Sequence, residues 1–327
     1  MNKGIAKTLL TGAALAIATP AMAQHHEAPA CDRDCLIALA DTYADALVAD
    51  DPGMVLWAAN AVVLENLMPS APGAGGFDTI TGDYTTYAIH VADPVSQQVG
   101  LLAMMKEGQT DVFVGFRLQL DANGAIEEAE HMIARDLTAE QIGNLQMPRT
   151  ALMAPVPEGY RDSRERMIWL GKSYYDALDN NNSAHSNMAD DCERQENGFQ
   201  TARNRMVRDS EGGNGQFDEI FAYLGGLGCA AQMDTNMWAY ISRIENRRVE
   251  IADPVTGLVW GMSHLEHDFD TEDYPLYGVP WADHRHMEFD PFDMPAVHIY
   301  KVWGGAIHEI EAIGLVTEYQ SPHSFEG

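Results

Sequence analysis

Apolar residues recur at helical spacing in two separate stretches of the chain. In "RDCLIALADTYADALVADD" the residues Leu36, Leu39, Tyr43 and Leu47 fall on one stripe. The stretch "ERMIWLGKSYYDALDNNN" repeats this stripe at a constant offset of 131 residues, starting from Met167 (167 minus 36). Spacings of three and four are typical of a helix that packs one face on a core. The pattern therefore predicts two long helices, one at the start of each half of the chain.

Shorter runs that alternate apolar and polar residues follow each predicted helix. "DVFVGFRLQL", "DANG" and "AIEEAEHMIA" together have the pattern of a strand, a tight turn and a second strand. "HIYKVWGGAIHEIEAIG" repeats this plan with "GG" at the turn. Asn-Gly and Gly-Gly both favour tight hairpin turns. Helices followed by an antiparallel sheet predict an α+β fold.

Three similar blocks occur twice in the same order: the helix stripe, "ADPV" at 92–95 and 252–255, and "GAIEEAE" against "GAIHEIE". Conserved order and register within one chain indicate a tandem duplication. We predict a first unit over residues 31–137, a linker over 138–162 and a second unit over 163–317. The sequence offset between matching blocks grows along the chain, which places insertions in the second unit near 199–251 and 266–293. Residues 318–327 are expected to form a tail.

The first residues predict export. Lys3 and Lys7 precede the apolar run "LLTGAALAIA", and "AMA" before Gln24 has the form of a signal peptidase site. We expect residues 1–23 to be a cleaved signal peptide, because the apolar run is short for a membrane anchor. The mature charge of 18 minus 49, or −31, repels nucleic acid and anionic membrane surfaces. We therefore expect a periplasmic or secreted protein without nucleic-acid or membrane partners.

Four cysteines in an exported chain permit disulfides with three connectivities. Cys31 and Cys35 are close together, while Cys192 and Cys229 lie far from them. This distribution favours pairing each cysteine with its neighbour. Four free buried thiols are the alternative.

The helix motif "YxDAL", a middle "EN" motif and a final hairpin ending in "GxIxEIEA" resemble the nuclear transport factor 2-like fold of the SnoaL-like and ketosteroid-isomerase-like group. "CDRxC" at Cys31 and "CxRxENG" at Cys192 are similar to secreted two-unit SnoaL-like proteins. The resemblance implies two cone-shaped units, each with helices on a strongly curved antiparallel sheet around a conical pocket. Members include isomerases, dehydratases and lyases that act without a cofactor on hydrophobic molecules, whereas others only bind.

Such chemistry needs a base and an acid in a dry pocket, and His, Asp, Glu and Tyr are the usual suppliers. In the first unit Glu65 lies in "LEN". Tyr87 and His90 are three residues apart, so a regular strand points them to opposite faces. His131 shares a face with Ala129 and is expected to look inward.

In the second unit Arg194 and Glu196 share a face of an extended segment, where an internal ion pair beside a disulfide is the favoured alternative to catalysis. His298 alternates with Tyr300 on one face of its strand. The catalytic candidates are His298, His264, His131, His90, Tyr87, Asp234, Glu196 and Arg194. The binding candidates are Trp238, Tyr300, Trp281, Tyr84 and Asn197.

The insertion near residue 265 is rich in histidines and carboxylates, a composition that can bind a divalent ion. Its spacing matches no established metal motif, so we assign no metal site. The weak candidates are His264, His267, His284 and His286. Its aromatic residues suit a lid over an apolar ligand.

The leading functional hypothesis is a cofactor-independent lyase, dehydratase or isomerase for a small hydrophobic, aromatic or polyketide-like molecule. A non-catalytic ligand-binding or scaffold protein is the first alternative, and a metal-dependent enzyme using the insertion is the second. Duplication also predicts that the two units pack through their sheets as a pseudo-dimer within a monomeric chain.

Overall fold

The computed structural model describes Met1, residues 30–204 and residues 219–325. Apart from Met1, the predicted signal peptide lies outside the described residues, as does part of the insertion near 199–251. Within the described ranges no helix is long and apolar enough to cross a membrane.

The first half of the chain builds a six-stranded sheet with the order β2-β1-β6-β5-β4-β3. β1 and β6 are parallel and the other neighbours are antiparallel. The elements are α1 (Arg33–Ala49), β1 (Trp57–Glu65), β2 (Met68–Ser70), α2 (Gly76–Thr79), β3 (Ala88–Asp93), β4 (Gln98–Glu107), β5 (Thr110–Leu120) and β6 (Ile126–Ala134).

The second half builds a sheet of seven strands, β8-β7-β14-β13-β10-β9, in which β15 also pairs with β13, and a separate β11-β12 hairpin. The connecting helices are α3 (Ala139–Asn144) and α4 (Thr150–Met153). The remaining elements are α5 (Arg164–Asp179), β7 (Met188–Glu196), β8 (Phe199–Ala202), α6 (Glu219–Gly225), α7 (Cys229–Met233), β9 (Arg243–Asp253), β10 (Leu258–His267), β11 (Asp273–Pro275), β12 (His284–His286), β13 (Phe292–Trp303), β14 (Ala306–Gly314) and β15 (Thr317–Glu318).

The fold is thus mixed, with seven α-helices among the described residues and main sheets of six and seven strands. Both long helices begin at a side-chain cap, since Asp32 accepts from the N–H of Cys35 and Ser163 from that of Arg166. The predicted stripe of α1 is buried at Leu36, Tyr43 and Leu47.

The two predicted hairpins differ at their turns. Gly304 and Gly305 both have positive φ, and Trp303 pairs with Ala306, so this is the expected two-residue turn. The first hairpin has a longer turn, because Asp121 accepts hydrogen bonds from the N–H groups of Asn123 and Ala125.

The faces of the two sheets that point away from the long helices pack on one another. Gly100 leaves room for Trp260, because a Cβ at Gly100 would lie 2.5 Å from the indole ring. One apolar cluster joins side chains of both sheets, among them Tyr87, Leu102, Met104, Phe113, Met132, Ile251, Trp260, Met262, Val297, Ile299 and Ile313.

Ion pairs at the edges of this contact are reciprocal. Arg164, at the start of α5, donates to Asp93 of the first "ADPV" at 2.7 Å. Arg33, at the start of α1, donates to Asp253 of the second "ADPV" at 2.9 Å. Each motif therefore holds the helix start of the other half, as in an isologous two-fold contact.

Two disulfides are present, Cys31–Cys35 and Cys192–Cys229. The second ties β7 to α7, across a sequence separation of 37 residues. Both are compatible with a secreted protein.

Candidate functional site

The "EN" motifs end strands β1 and β7 with the same hydrogen-bond pattern. Asn66 has φ 47° and exchanges two hydrogen bonds with the backbone of Ile133. Asn197 also has φ 47° and exchanges two hydrogen bonds with the backbone of Gly314. The asparagines extend the parallel pairing past the strand end, and their amides are thereby occupied. Asn197, a binding candidate from sequence, has this structural contact.

Strand register then determines what lies beside each motif glutamate. In the first sheet Glu65 pairs with His131, which pairs on its other side with Phe116. In the second sheet Glu196 pairs with Ala312, which pairs on its other side with His298. The imidazole thus lies one strand further along in the second sheet.

The first site is a buried chain of three polar groups. His131 Nε2 lies 2.8 Å from the Tyr43 hydroxyl, and its Nδ1 lies 3.8 Å from Glu65 Oε2. Burial alone would raise the pKa of Glu65, but His131, the Gly76 N–H and Arg135 lower it overall. Burial and the charge of Glu65 raise the pKa of Tyr43. At neutral pH Glu65 is therefore a carboxylate and Tyr43 a protonated phenol, with the His131 ring between them.

The second site centres on His298, which faces α5. Its Nδ1 lies 3.2 Å from the Tyr175 hydroxyl. The Tyr300 ring is parallel to the imidazole at a centroid distance of 6.0 Å, and Tyr174 lies 5.7 Å away. Among the described residues no hydrogen bond is made by His298 Nε2, the other ring nitrogen.

A buried arginine borders this group of rings. Arg194 donates to Thr201, to Gln232 at 2.8 Å and to the Tyr174 hydroxyl at 3.4 Å. Its nearest carboxylate, that of the half-buried Glu196, is 3.5 Å away. The guanidinium therefore has neutral hydrogen-bond partners and only a loose ion pair.

Trp238 lies over this guanidinium, with its ring centroid 4.8 Å from the central carbon. The indole N–H is buried and meets no hydrogen-bond acceptor among the described residues. A buried Trp N–H normally finds a partner, so this donor is available to a ligand oxygen.

Burial determines the protonation states of the second site. Burial lowers the pKa of His298 to about 4, although Glu196 acts to raise it; the charge of Arg194 adds to the lowering. Burial likewise raises the pKa of Tyr175 and of Tyr300. The site therefore combines a neutral imidazole with protonated phenols across the physiological range.

His90 and Tyr84 meet at α1 rather than at either buried site. The carboxylate of Asp41 lies 2.7 Å from His90 Nε2 and accepts from the Tyr84 hydroxyl at 3.0 Å. Tyr87 points the other way, into the cluster between the sheets, where burial and then the charge of Glu311 raise its pKa. The opposite faces expected from their spacing are observed, and neither residue reaches His131 through the contacts described.

His264 is buried where the two sheets meet. Its Nε2 lies 3.1 Å from Asp293 Oδ2 and 3.5 Å from the Ser321 hydroxyl. It is thus separate from the group around His298. The reason is side-chain alternation, because His264 shares the β10 face of Trp260 and Met262 between the sheets, whereas His298 pairs with Gly261 on the face toward α5.

The other histidines of the insertion each have a different environment. His267 is stacked on Phe292 with ring centroids 4.1 Å apart, and burial lowers its pKa to about 4. His284 and His286 project from the exposed face of β12, each beside its own aspartate. In the described ranges, no three His, Cys, Asp or Glu side chains are grouped as a metal site would require.

The remaining candidates lie at the periphery. Asp234 is exposed and accepts two hydrogen bonds from Ser183, at 2.8 and 2.9 Å. Trp281 is also exposed and packs edge-on against Tyr223. Tyr175, the hydrogen-bond partner of His298, was absent from the candidates. The only sequence signal that could have identified Tyr175 is the doubled tyrosine in "SYYDAL".

A surface cleft of about 430 Å³ lies where the two "EN" turns approach each other. Arg135 lines it and lies 3.7 Å from Glu65, so the cleft borders the first site. The other lining residues include Asn66, Asp136, Gln141, Asn197 and Thr317.

Comparisons with known proteins give little functional information. A family described as a domain of unknown function (DUF8021) matches residues 160–314. The chain is similar to the solved structure of PrhC from Penicillium brasilianum NBRC 6234, with a TM-score of 0.26 and 13% identity over 31% of this chain and 81% of that chain. No curated protein matches the sequence.

Proposed function

We propose that the protein is a cofactor-independent acid–base enzyme, a lyase, dehydratase or isomerase, acting on a small hydrophobic aromatic molecule. The active group is His298, in the second of two SnoaL-like units. The observation that carries this proposal is the state of its ring: Nδ1 is held by Tyr175, while Nε2 has no hydrogen bond among the described residues. A base must present a free lone pair to the substrate, and Nε2 carries one when Nδ1 holds the proton and donates it to the Tyr175 oxygen.

The contrast with His131 supports His298, rather than His131, as the base. Both ring nitrogens of His131 face protein groups, Tyr43 on one side and Glu65 on the other. In the second sheet the small Ala312 takes the register position of His131 and separates Glu196 from His298. A substrate atom beside Ala312 would lie between a carboxylate and an imidazole.

The neighbouring groups suit abstraction of a proton next to a carbonyl. Neutral His298 takes the proton, and the negative charge that develops on the carbonyl oxygen meets the Arg194 guanidinium and the unpaired Trp238 N–H. The protonated His298 then returns this proton to the leaving group or to a shifted double bond and ends neutral, while Tyr300 remains a protonated hydrogen-bond donor. Proton abstraction followed by elimination or reprotonation describes all three reaction classes.

The pairing of two such units within one chain is part of the proposal. Reciprocal contacts of Arg164 with Asp93 and of Arg33 with Asp253 support a pseudo-dimer. The shared apolar cluster between the sheets supports it too.

A panel of hydroxylated aromatic and polycyclic ketones tests the function, with loss of water or movement of a double bond followed by absorbance. For any substrate that turns over, the His298→Phe variant should lose about a hundredfold or more in kcat. His131→Phe, measured under conditions where it remains folded, should stay within about tenfold, since His131 is given no chemical step. Turnover that survives in His298→Phe contradicts the assignment.

A non-catalytic binding role is the second candidate, favoured by one observation. The interior beside α5 is occupied by the protein's own rings, with Tyr174, Tyr175, Tyr300 and His298 within 5.2–6.2 Å of one another. Ligands from the same panel that bind without being transformed, equally in wild type and His298→Phe, would favour this role.

A further inference from the structure

Two arginines from different sheets meet in a groove at the contact between the sheets. Arg248, on β9, donates to Glu130 Oε1 at 2.7 Å, and Arg117, on β5, donates to Glu130 Oε2 at 3.3 Å. Arg117 also donates to Glu128 at 2.5 Å. Each guanidinium is paired with a carboxylate, so the groove offers no free positive charge to an anionic ligand.

Residues 317–325, here called the strap, cover this groove. The strap begins as β15, paired with β13. Ser321 donates to Asp293 Oδ2 from its backbone N–H at 2.9 Å and from its hydroxyl at 3.2 Å. Ser324 accepts a hydrogen bond from Arg248 at 3.2 Å. The strap is thus held by specific polar contacts along its length.

Near its end the strap places an aromatic ring on the arginine pair. The Phe325 ring centroid lies 5.1 Å from the central guanidinium carbon of Arg117 and 5.8 Å from that of Arg248. Both distances are within the range of cation–π attraction. The groove is therefore already occupied by an aromatic group, which the chain itself supplies.

Two buried polar atoms next to the strap have no partner. Arg248 and His264 are both more than nine-tenths buried. Arg248 Nε and His264 Nδ1 make no hydrogen bond among the described residues. Both line one small cavity, together with Ser324 and Met262. His264 Nε2 faces Asp293, which favours a proton on Nε2 and a lone pair on Nδ1. One donor and one acceptor thus belong to residues that line the same cavity.

We propose that the groove is a binding site for a phenolic aromatic molecule, which displaces Phe325. The ring of the ligand lies on the guanidinium groups of Arg117 and Arg248. Its hydroxyl donates to His264 Nδ1 and accepts from Arg248 Nε, a combination that a hydroxyl supplies and a carboxylate or plain hydrocarbon does not. The site is independent of the function assigned to His298.

Binding of 2-naphthol to the full chain, followed by fluorescence or calorimetry, tests this site. Phe325→Ala removes the internal competitor, so the variant should bind about tenfold more tightly than wild type. Adding Arg248→Met to Phe325→Ala should abolish that gain. Tyr160→Ala, which removes an exposed aromatic ring elsewhere, is the matched control and should bind as wild type does.

Thermal melting of each variant identifies any that fail to fold. If the double variant with Arg248→Met does not fold, Phe325→Ala with His264→Phe removes the hydroxyl acceptor and carries the same expectation. 2-Methylnaphthalene, which lacks the hydroxyl, should gain less than 2-naphthol from Phe325→Ala. Equal affinity of Phe325→Ala and wild type for 2-naphthol would overturn the proposal, as would an equal gain by both ligands.

Discussion

Acid should destabilise the native state through His298, by an amount that follows from its burial. The imidazole has an ordinary pKa of 6.5 and a pKa of about 4 in the folded protein. The unfolded chain therefore binds more protons than the native state between these values. The contribution of neutral His298 to the free energy of unfolding is fully present above pH 6.5 and is lost as the pH falls toward 4. Linkage gives a loss of about 2 kcal/mol between about pH 7 and about pH 5.

The comparison with His298→Phe isolates this term, because other groups titrate in the same interval. His267 has a similarly lowered pKa, whereas burial raises the pKa of Glu309 and of Glu311 to about 7, with the opposite effect on stability. These terms are common to wild type and variant, so they cancel in the difference. Phenylalanine is the residue that the first sheet carries at this register position, as Phe116.

The assay is urea denaturation followed by tryptophan fluorescence at about pH 5, 6 and 7. The free energy of unfolding of wild type, relative to His298→Phe, should fall by about 2 kcal/mol over this range. Ile299→Val, a neighbour on the opposite face without a titratable group, should show no such change relative to wild type. A difference between wild type and His298→Phe that stays constant with pH, or grows in acid, would refute the reasoning.

Three further predictions concern stability and are measured by urea denaturation. Gly100→Val should destabilise by at least about 2 kcal/mol, because the new side chain overlaps the Trp260 ring; Gly143→Val, in open space on α3 and without a positive φ, is a control for loss of a glycine. Asn197→Ala should cost about 1–3 kcal/mol, since two backbone partners lose their hydrogen bonds; an unchanged midpoint would contradict that role. Replacing Cys192 and Cys229 by Ala should cost about 4 kcal/mol, whereas a cost below about 1 kcal/mol would contradict a structural role for the bridge.

Local periodicity predicted much of the second sheet correctly. The alternation of His298 and Tyr300 against Ile299 is observed, with Tyr300 in the core beside α5 and Ile299 in the cluster between the sheets. The two helices and the two hairpins also follow the pattern of their sequences. These features depend on side-chain period and turn residues, which are local properties.

The partners of each candidate depended on long-range contacts that the pattern does not contain. Tyr175 reaches His298 across 123 residues because α5 packs on β13. The neighbouring histidines of the insertion separate because His264 and His267 lie on a buried strand, while His284 projects from an exposed hairpin. The two asparagines of the "EN" motifs could be found from sequence, but their role depends on a positive φ.

Deuterium incorporation into an aromatic ketone in D2O, followed by proton NMR, tests the role of His298 most directly. It detects abstraction of the proton beside the carbonyl even when no product accumulates, and a tetralone is a suitable probe. We predict that wild type and His131→Phe accelerate exchange while His298→Phe falls to the uncatalysed rate. Exchange that persists in His298→Phe and disappears in His131→Phe would contradict the assignment of the base to the second site.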